Sequence, residues 1–302
     1  MNRRKFITGC ACCTPAILLP MFLKPEKQNF SYKETSLEML QMDIVQHCNL
    51  GCKYCSHFSC IAEKEFYSLR NFKNDIMRIS KLCNKQLDVL SLLGGEPLLH
   101  PNLEEILYIS RKYFPYSMIV LVTNAILIDK MPESFWEAMS KNNIYFGATI
   151  YPIKGIDWEK IYNKVVKYNI AFPAHPDQYF YKSLDEVLNH KRTEFLKIVL
   201  DLEGKQDITT FCKFKINCTN LFNGKLYPCP TIANIRHFNK KFNKNIPVTE
   251  KDYVDIYKVK SSKEINEFLY SNIPFCKYCH GAKNMQNVKW ETSVKHDISE
   301  WT

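Results

Sequence analysis

Arginine is scarce in this chain, only seven of its 41 basic residues, the rest being lysine. Planar, bidentate reading of phosphates and base edges favours arginine. The formal charge of +10 therefore reflects lysine-rich composition, and no nucleic-acid face is expected. An anionic small molecule, such as a nucleotide-linked sugar, stays compatible with that charge. Also missing is any run of about twenty apolar residues, the length a spanning helix needs. The apolar stretch from Ile7 to Leu23 is broken by Pro15 and Pro20, so a membrane-embedded protein is not expected. No Ser/His/Asp order, phosphate loop or general acid–base pair of carboxylates stands out, which removes the common hydrolase and kinase readings.

What the sequence does have is cysteine. There are thirteen in 302 residues, of which 46% are hydrophobic, enough for one large domain or two with a sizeable core. Disulfide scaffolds are short and secreted, whereas these cysteines fall into clusters with metal-ligand spacing. The first is Cys48-Asn49-Leu50-Gly51-Cys52-Lys53-Tyr54-Cys55, a C-x3-C-x2-C loop directly after the strand-like run Met39 to Val45. A [4Fe–4S] cube is saturated by four thiolates. Three thiolates leave one iron open, and an open position marks a catalytic site rather than a structural one. Cys60 and Cys83 have no partner at metal spacing and read as small buried hydrophobes. His57 and His100 read as local hydrogen-bonding residues.

This loop resembles the defining motif of the radical S-adenosylmethionine (SAM) superfamily. Downstream, Gly94-Gly95-Glu96-Pro97 resembles that family's GGEP segment. The resemblance implies that Cys48, Cys52 and Cys55 hold a [4Fe–4S] cluster, with SAM chelating the fourth iron through its amino and carboxylate groups. It implies further that Tyr54 lies near the adenine and that Gly94, Gly95, Glu96 and Pro97 line SAM, the glycines because a Cβ would obstruct close approach. Thr123-Asn124 resembles a segment that often follows the third strand, so Asn124 is a candidate SAM contact, with an ordinary turn asparagine the alternative. The family's later SAM-contacting segments are not visible.

Apolar periodicity predicts strands at Met39–Val45, Leu87–Leu93, Ser117–Val122 and Ile144–Tyr151. Helices are predicted at Leu69–Cys83, Asn102–Phe114, Pro132–Lys141 and Trp158–Tyr168. Further strands are expected near Ile170–Ala174 and Phe195–Leu202. Alternation of this kind implies an α/β fold with parallel pairing, and the resemblance implies a partial (β/α)6 TIM-like barrel. Both motifs then sit at the carboxyl ends of strands, where such sheets carry their chemistry.

From Cys212 the character changes to a small cysteine-rich hairpin-plus-helix extension. Asn223-Gly224 between apolar residues is a strong hairpin signal and would hold Cys229 near an earlier cysteine. Cys276 and Cys279 follow as C-x-x-C, and four thiolates suffice to close a metal site. The pattern is similar to the twitch or SPASM extensions of radical SAM enzymes, which implies one auxiliary [4Fe–4S] cluster on Cys212, Cys229, Cys276 and Cys279, with Cys218 the alternative ligand. A structural zinc ribbon on the same thiolates is the competing reading. The expected organisation is 1–37 as an N-terminal segment, 38–205 as the barrel and 206–302 as the auxiliary domain.

Within 1–37, Asn2-Arg3-Arg4-Lys5-Phe6-Ile7 resembles a twin-arginine export signal, but no A-x-A-like cleavage site follows. Cys10, Cys12 and Cys13 have no assigned role. Because the implied chemistry needs SAM and a reductant, a cytoplasmic enzyme is expected, with export or peripheral membrane contact the alternative. The resemblance implies a flavodoxin- or ferredoxin-like electron donor and reductive cleavage of SAM to a 5′-deoxyadenosyl radical that abstracts hydrogen. Ser56-His57-Phe58-Ser59 and Ala62-Glu63 resemble radical SAM proteins of bacterial surface-polysaccharide gene clusters. The expected activity is an oxidoreductase on a carbohydrate-like or nucleotide-sugar metabolite. A maturase of a ribosomally made peptide and a non-enzymatic iron–sulfur or zinc protein are the alternatives.

Overall fold

The computed structural model describes residues 37–173, 181–208, 212, 214–281 and 286–302. The expectations placed on the export-like segment, Cys10, Cys12, Cys13 and Ala174 lie outside these residues. The chain begins as a regular β/α alternation: β1 (Leu37–Val45), α1 (Leu69–Leu82), β2 (Leu87–Gly94), α2 (Leu103–Tyr113), β3 (Met118–Thr123), α3 (Glu133–Lys141), β4 (Ile144–Ala148) and α4 (Trp158–Lys167). Each helix starts where the sequence supplies a cap or an acidic first turn. Ser68 accepts from Asn71 N ahead of α1, Asp157 caps α4, and Glu104 and Glu105 open α2, complementing the helix dipole.

Four strands pair in parallel in the order β4-β3-β2-β1. Beyond α5 (Leu184–Asn189), β5 (Glu194–Lys197) and α6 (Phe214–Asn217), the sheet resumes with β6 (Asn220–Phe222), parallel to β1. The hairpin partner β7 (Lys225–Tyr227) and β8 (Val254–Asp255) follow antiparallel, giving seven strands in an open, mostly parallel sheet. After β7 come α7 (Pro230–Phe242) and, past β8, α8 (Ser262–Tyr270) and β9 (Gln286–Lys289). The architecture is thus α/β with a partial, unclosed barrel. The hairpin turn is as expected, with Asn223 and Gly224 both in the left-handed region at φ 47° and 75°, the signature of a type I′ turn. Asp75 of α1 anchors it, accepting from Gly224 N at 2.6 Å, from the Tyr257 hydroxyl at 2.6 Å and from the Tyr67 hydroxyl.

Two expected strands are corrected. Ile170–Phe172 forms no strand element; it lies at the β4 edge through a single bond, Phe146 N donating to Ala171 O at 2.9 Å. The segment at Phe195–Leu202 yields only the four residues of β5, which pair antiparallel with β9 in a separate two-stranded sheet. Four, not six, β/α units therefore build the parallel sheet. The sheet also runs through the boundary expected at 205/206, because β6–β8 extend it from β1.

The two faces of this sheet differ in chemistry. One register row, Leu221–Met42–Leu92–Leu121–Phe146, is fully buried and shares a core with Ile76 of α1, Ile106 of α2, Phe135 of α3 and Ile161 of α4. Fully burying side chains of this kind stabilises by about 1.5–3 kcal/mol each. The row one residue earlier, pointing the other way, reads Asn220–Gln41–Ser91–Val120–Tyr145. This inner face is polar, and α7 lies against it through Asn234, which donates to Asp43 Oδ2 at 2.7 Å. Among the described residues no helix is long and apolar enough to cross a membrane.

Candidate active site

The end of β1 delivers the cysteine loop to the rim of the sheet, and the end of β2 delivers the double glycine beside it. Gly95 N donates to Val45 O at 2.6 Å and Glu96 N to His47 O at 3.1 Å, so the two motifs share backbone bonds. A Cβ on Gly94, which sits at φ 122°, would lie 2.3 Å from Val45 O. The Gly-Gly pair is thus needed for chain-to-chain approach as well as for any ligand above it.

Cys48, Cys52 and Cys55 converge, each interacting electrostatically with another of the set. Burial raises Cys48, helped by nearby Glu96, and pushes Cys52 up to about 12. Such thiols stay protonated until a metal binds and displaces the proton. Sulfur-directed donors already surround them. Leu50 N donates to Cys48 Sγ at 3.4 Å, Asn124 Nδ2 to the same sulfur at 3.6 Å, and Trp290 Nε1 to Cys52 Sγ at 3.3 Å. The donor set fits a group that places negative charge on these sulfurs. Cys60 packs, partly buried, against the apolar cluster around Phe58 and Trp301, and its thiol also lies against Cys55, lowering Cys55 from its ordinary value and raising Cys60 itself.

Tyr54 is held at φ 63° with the Lys197 ammonium 5.5 Å from its ring centroid. Asn124 donates to Asn49 Oδ1 at 2.8 Å, tying the end of β3 to the cysteine loop. The Glu96 carboxylate is fully buried and taken up by protein donors: the Thr123 hydroxyl at 2.6 Å, Leu98 N at 3.0 Å and Asn124 N at 2.9 Å. In this geometry Glu96 positions Asn124, while Pro97 opens the short 3-10 turn Pro97–Leu99 that follows. His100 has the local role expected of it: Nε2 pairs with Tyr67 O and Nδ1 accepts from Asn102 N, both at 3.0 Å.

Burial pushes the Glu96 carboxyl up to about 7, against the three donors, from an ordinary 4.5. A folded value above the unfolded one means that protonation favours the fold. This contribution is complete below the ordinary value of 4.5 and is lost as pH rises through about 7. The urea midpoint of the wild type minus that of Glu96→Gln is therefore expected to fall between pH 4.5 and 7. A difference independent of pH would count against this environment.

The second cysteine set also assembles. Cys212, Cys276 and Cys279 all act electrostatically on Cys229, and Cys212 acts on Cys276 and Cys279. Cys229 is the N-cap residue of α7 with Pro230 behind it, so its sulfur lies at a helix N-terminus. Cys276 and Cys279 bracket a tight turn, Cys279 N donating to Cys276 O at 3.2 Å. Burial raises Cys276 to about 11 and Cys279 to about 12. Lys215, buried beside them, is lowered by burial and raised by Cys276, Cys212 and Cys229. Cys218 is wholly buried, packed with Phe214 against Cys212 and Cys229. It is disulfide-bonded, which corrects its expected role as the alternative ligand, because a disulfide sulfur has no thiolate to give a metal.

Sequence reasoning missed the contact of Cys60 with Cys55, Lys215 and the C-terminal segment, which crosses back over the cluster loop. Cys52 bridges Thr292, and Trp301 Nε1 donates to Cys55 O at 3.0 Å. Two tryptophans in an otherwise polar tail were the available signal.

A three-cysteine loop at the carboxyl rim of an open parallel sheet, locked to a Gly-Gly-Glu-Pro turn, defines a class of enzyme that works through a cluster with an open iron. Residues 42–190 match the model of the Radical SAM superfamily. Residues 42–190, just under half of the chain, thus form a radical SAM domain. The chain is 24% identical over 259 residues to the GTP 3′,8-cyclase of Clostridium botulinum (strain Hall), spanning 83% of this chain and 78% of the relative. It is 26% identical over 107 residues to the GTP 3′,8-cyclase of Chlorobaculum tepidum, spanning 34% and 30%. Among solved structures it is similar to BtrN in complex with AdoMet and 2-DOIA, at 17% identity and a TM-score of 0.48 over 82% of this chain and 94% of that one. It is also similar to anSMEcpe with bound AdoMet, at 16% and 0.47 over 80% and 83%.

Proposed function

We propose that this protein is a radical SAM oxidoreductase acting on a small, hydroxyl-rich metabolite, with a second iron–sulfur cluster on Cys212, Cys229, Cys276 and Cys279. The observation that carries the proposal is the second thiol set. Net oxidation of a substrate needs an electron acceptor beside it, and four partly buried thiols that act on one another provide a place for one. A cluster is preferred to zinc because the first cysteine motif already implies iron–sulfur chemistry in this chain. Lys215 would offset the negative charge of such a cluster.

Bound at Cys48, Cys52 and Cys55, the first cluster with SAM would supply hydrogen-atom abstraction. This chain's own residues bind, orient and exclude water. Tyr54 and the Gly94–Pro97 turn would line SAM, with Asn124 held for it by Glu96. The inner face of the sheet supports a polar substrate. Asp43 Oδ1 and His57 Nε2 face each other at 3.6 Å, while Thr231 Oγ1 and both side-chain polar atoms of Asn220 are buried without a hydrogen-bond partner among the described residues. Groups of this kind are costly to leave unmet and suit hydroxyls, which donate and accept. A flavodoxin- or ferredoxin-like donor would supply the electron, in the cytoplasm.

The curated relatives favour a second reading, radical cyclisation of a nucleotide without net oxidation, because their names state that activity. Scarcity of arginine argues against a triphosphate site here. Peptide maturation finds no comparable support in the polar inner face.

Anaerobic reconstitution, metal counting and dithionite-driven release of 5′-deoxyadenosine test the proposal. Two cubes give about eight irons per chain. Eight irons with SAM cleavage would support it. About four irons plus one zinc would remove the second cluster and with it the oxidoreductase, and no cleavage at full iron would overturn the enzyme reading altogether.

A further inference from the structure

We propose that Trp290, seated on Tyr151, is a positioning residue that raises the reduction potential of the Cys48/Cys52/Cys55 cluster by hydrogen-bonding to the Cys52 sulfur; the inference rests on the cluster reading above. The indole N–H points at Cys52 Sγ from 3.3 Å. Tyr151 stacks against the indole with centroids 5.2 Å apart and planes 28° apart, and its hydroxyl reaches the same sulfur. The stack continues to Phe195 at 6.3 Å, under the Arg192 guanidinium at 4.3 Å.

The donor is held in place from both sides. Trp290 N donates to Thr193 O at 2.8 Å, and β9 just before it pairs with β5. Just after it, Lys53 N donates to Glu291 O at 3.0 Å and Ser293 N to Gly51 O at 2.8 Å. The Lys53 ammonium meets the Glu291 carboxylate at 2.8 Å. Trp290 thus sits at the junction of a short antiparallel pairing between the C-terminal segment and the cysteine loop, which fixes its backbone, while the stack on Tyr151 holds its ring.

An iron-bound thiolate carries more negative charge when its cluster is reduced. A hydrogen bond to it is then stronger in the reduced state, which favours reduction. Cys48 already has Leu50 N and Asn124 Nδ2; at Cys52 the side-chain donors come from Tyr151 and Trp290. The electron that starts SAM cleavage must enter this cluster, so the tail of the chain helps set how easily it does.

Trp290→Phe and Tyr151→Phe each keep an aromatic ring in the stack and remove one donor. Reconstituted full-length variants would be titrated electrochemically, following the EPR signal that SAM perturbs and counting iron in parallel. Trp290→Phe is expected to keep its iron and shift the midpoint to more negative potential. At a fixed applied potential the ratio of reduced to oxidised cluster is expected to fall about fivefold, the effect of losing one modest hydrogen bond. Tyr151→Phe is expected to shift in the same direction, and Trp290→His, which can still donate, to recover part of the shift. An unshifted Trp290→Phe midpoint at full iron would overturn the tuning role alone. So would loss of iron from that variant, which would make the indole a structural strap. A wild type without any SAM-perturbed signal would overturn both this inference and the function on which it rests.

Discussion

Replacing Cys48, Cys52 and Cys55 together by alanine is expected to remove about four irons per chain and all release of 5′-deoxyadenosine, while leaving the fold in place. The three thiols lie at the rim of the sheet, outside the apolar core formed by Leu40, Met42 and Ile44 with the helices. The backbone contacts to these sulfurs are few and local, from Leu50 to Cys48 and from His57 and Ser59 to Cys55. Far-UV circular dichroism should therefore change little while the iron falls. The second cysteine set is fed by a different part of the chain and should keep its metal. Retained SAM cleavage in this variant would sink the assignment of the cluster to this loop. Loss of iron from both sets would mean instead that the two sites assemble as one unit.

Gly95→Ala is expected to act just as severely through sterics alone. Its Cβ would lie 1.8 Å from the His47 carbonyl oxygen, 2.3 Å from the carbonyl carbon and 3.0 Å from Cys48 N. These are backbone atoms, so no side-chain rotation relieves the contact. The cysteine loop and the Gly-Gly-Glu-Pro turn must move apart, breaking the bonds from Gly95 N to Val45 O and from Glu96 N to His47 O. Overpacking against rigid neighbours costs on the order of 1–3 kcal/mol, and the lost bonds add about 1 kcal/mol each. The urea midpoint is expected to fall, and iron bound at Cys48, Cys52 and Cys55 to fall with it. Normal iron content and an unchanged midpoint would show that the two loops are less tightly joined than they stand here. The prediction separates two reasons for a glycine in this motif: at Gly95 a Cβ meets protein before it meets any ligand.

The alternating half of the fold was legible because its signals are local. In β1 through α4, each strand is a short apolar run and each helix has an apolar stripe and either a side-chain cap or an acidic first turn, so boundaries fell within a few residues of those expected. The hairpin at Asn223-Gly224 was legible for the same reason, since the turn residues demand positive φ. The region after α4 was not. Ile170–Phe172 has the composition of a strand but only one backbone bond to β4. The four residues of β5 take their partner from β9, some ninety residues later in the chain. Pairing at that distance leaves no pattern in either segment, because the ladder depends on where the intervening chain has carried the partner.

The same division runs through the site. Cysteine spacing and the Gly-Gly-Glu-Pro segment, by themselves, pointed to the radical SAM domain that residues 42–190 match and to the loop proposed to hold its cluster, because residues that wrap one small cube must be close in sequence. Tertiary structure alone decided how the loop is surrounded. It turned Glu96 inward onto Thr123, Leu98 and Asn124 and set the Cys60 thiol against Cys55. It also brought Lys215 in among the second set of thiols and Trp290 across to Cys52. The physical reason is that a chelating loop is specified by its own residues, whereas the donors and charges that tune it are recruited from wherever the folded chain happens to pass.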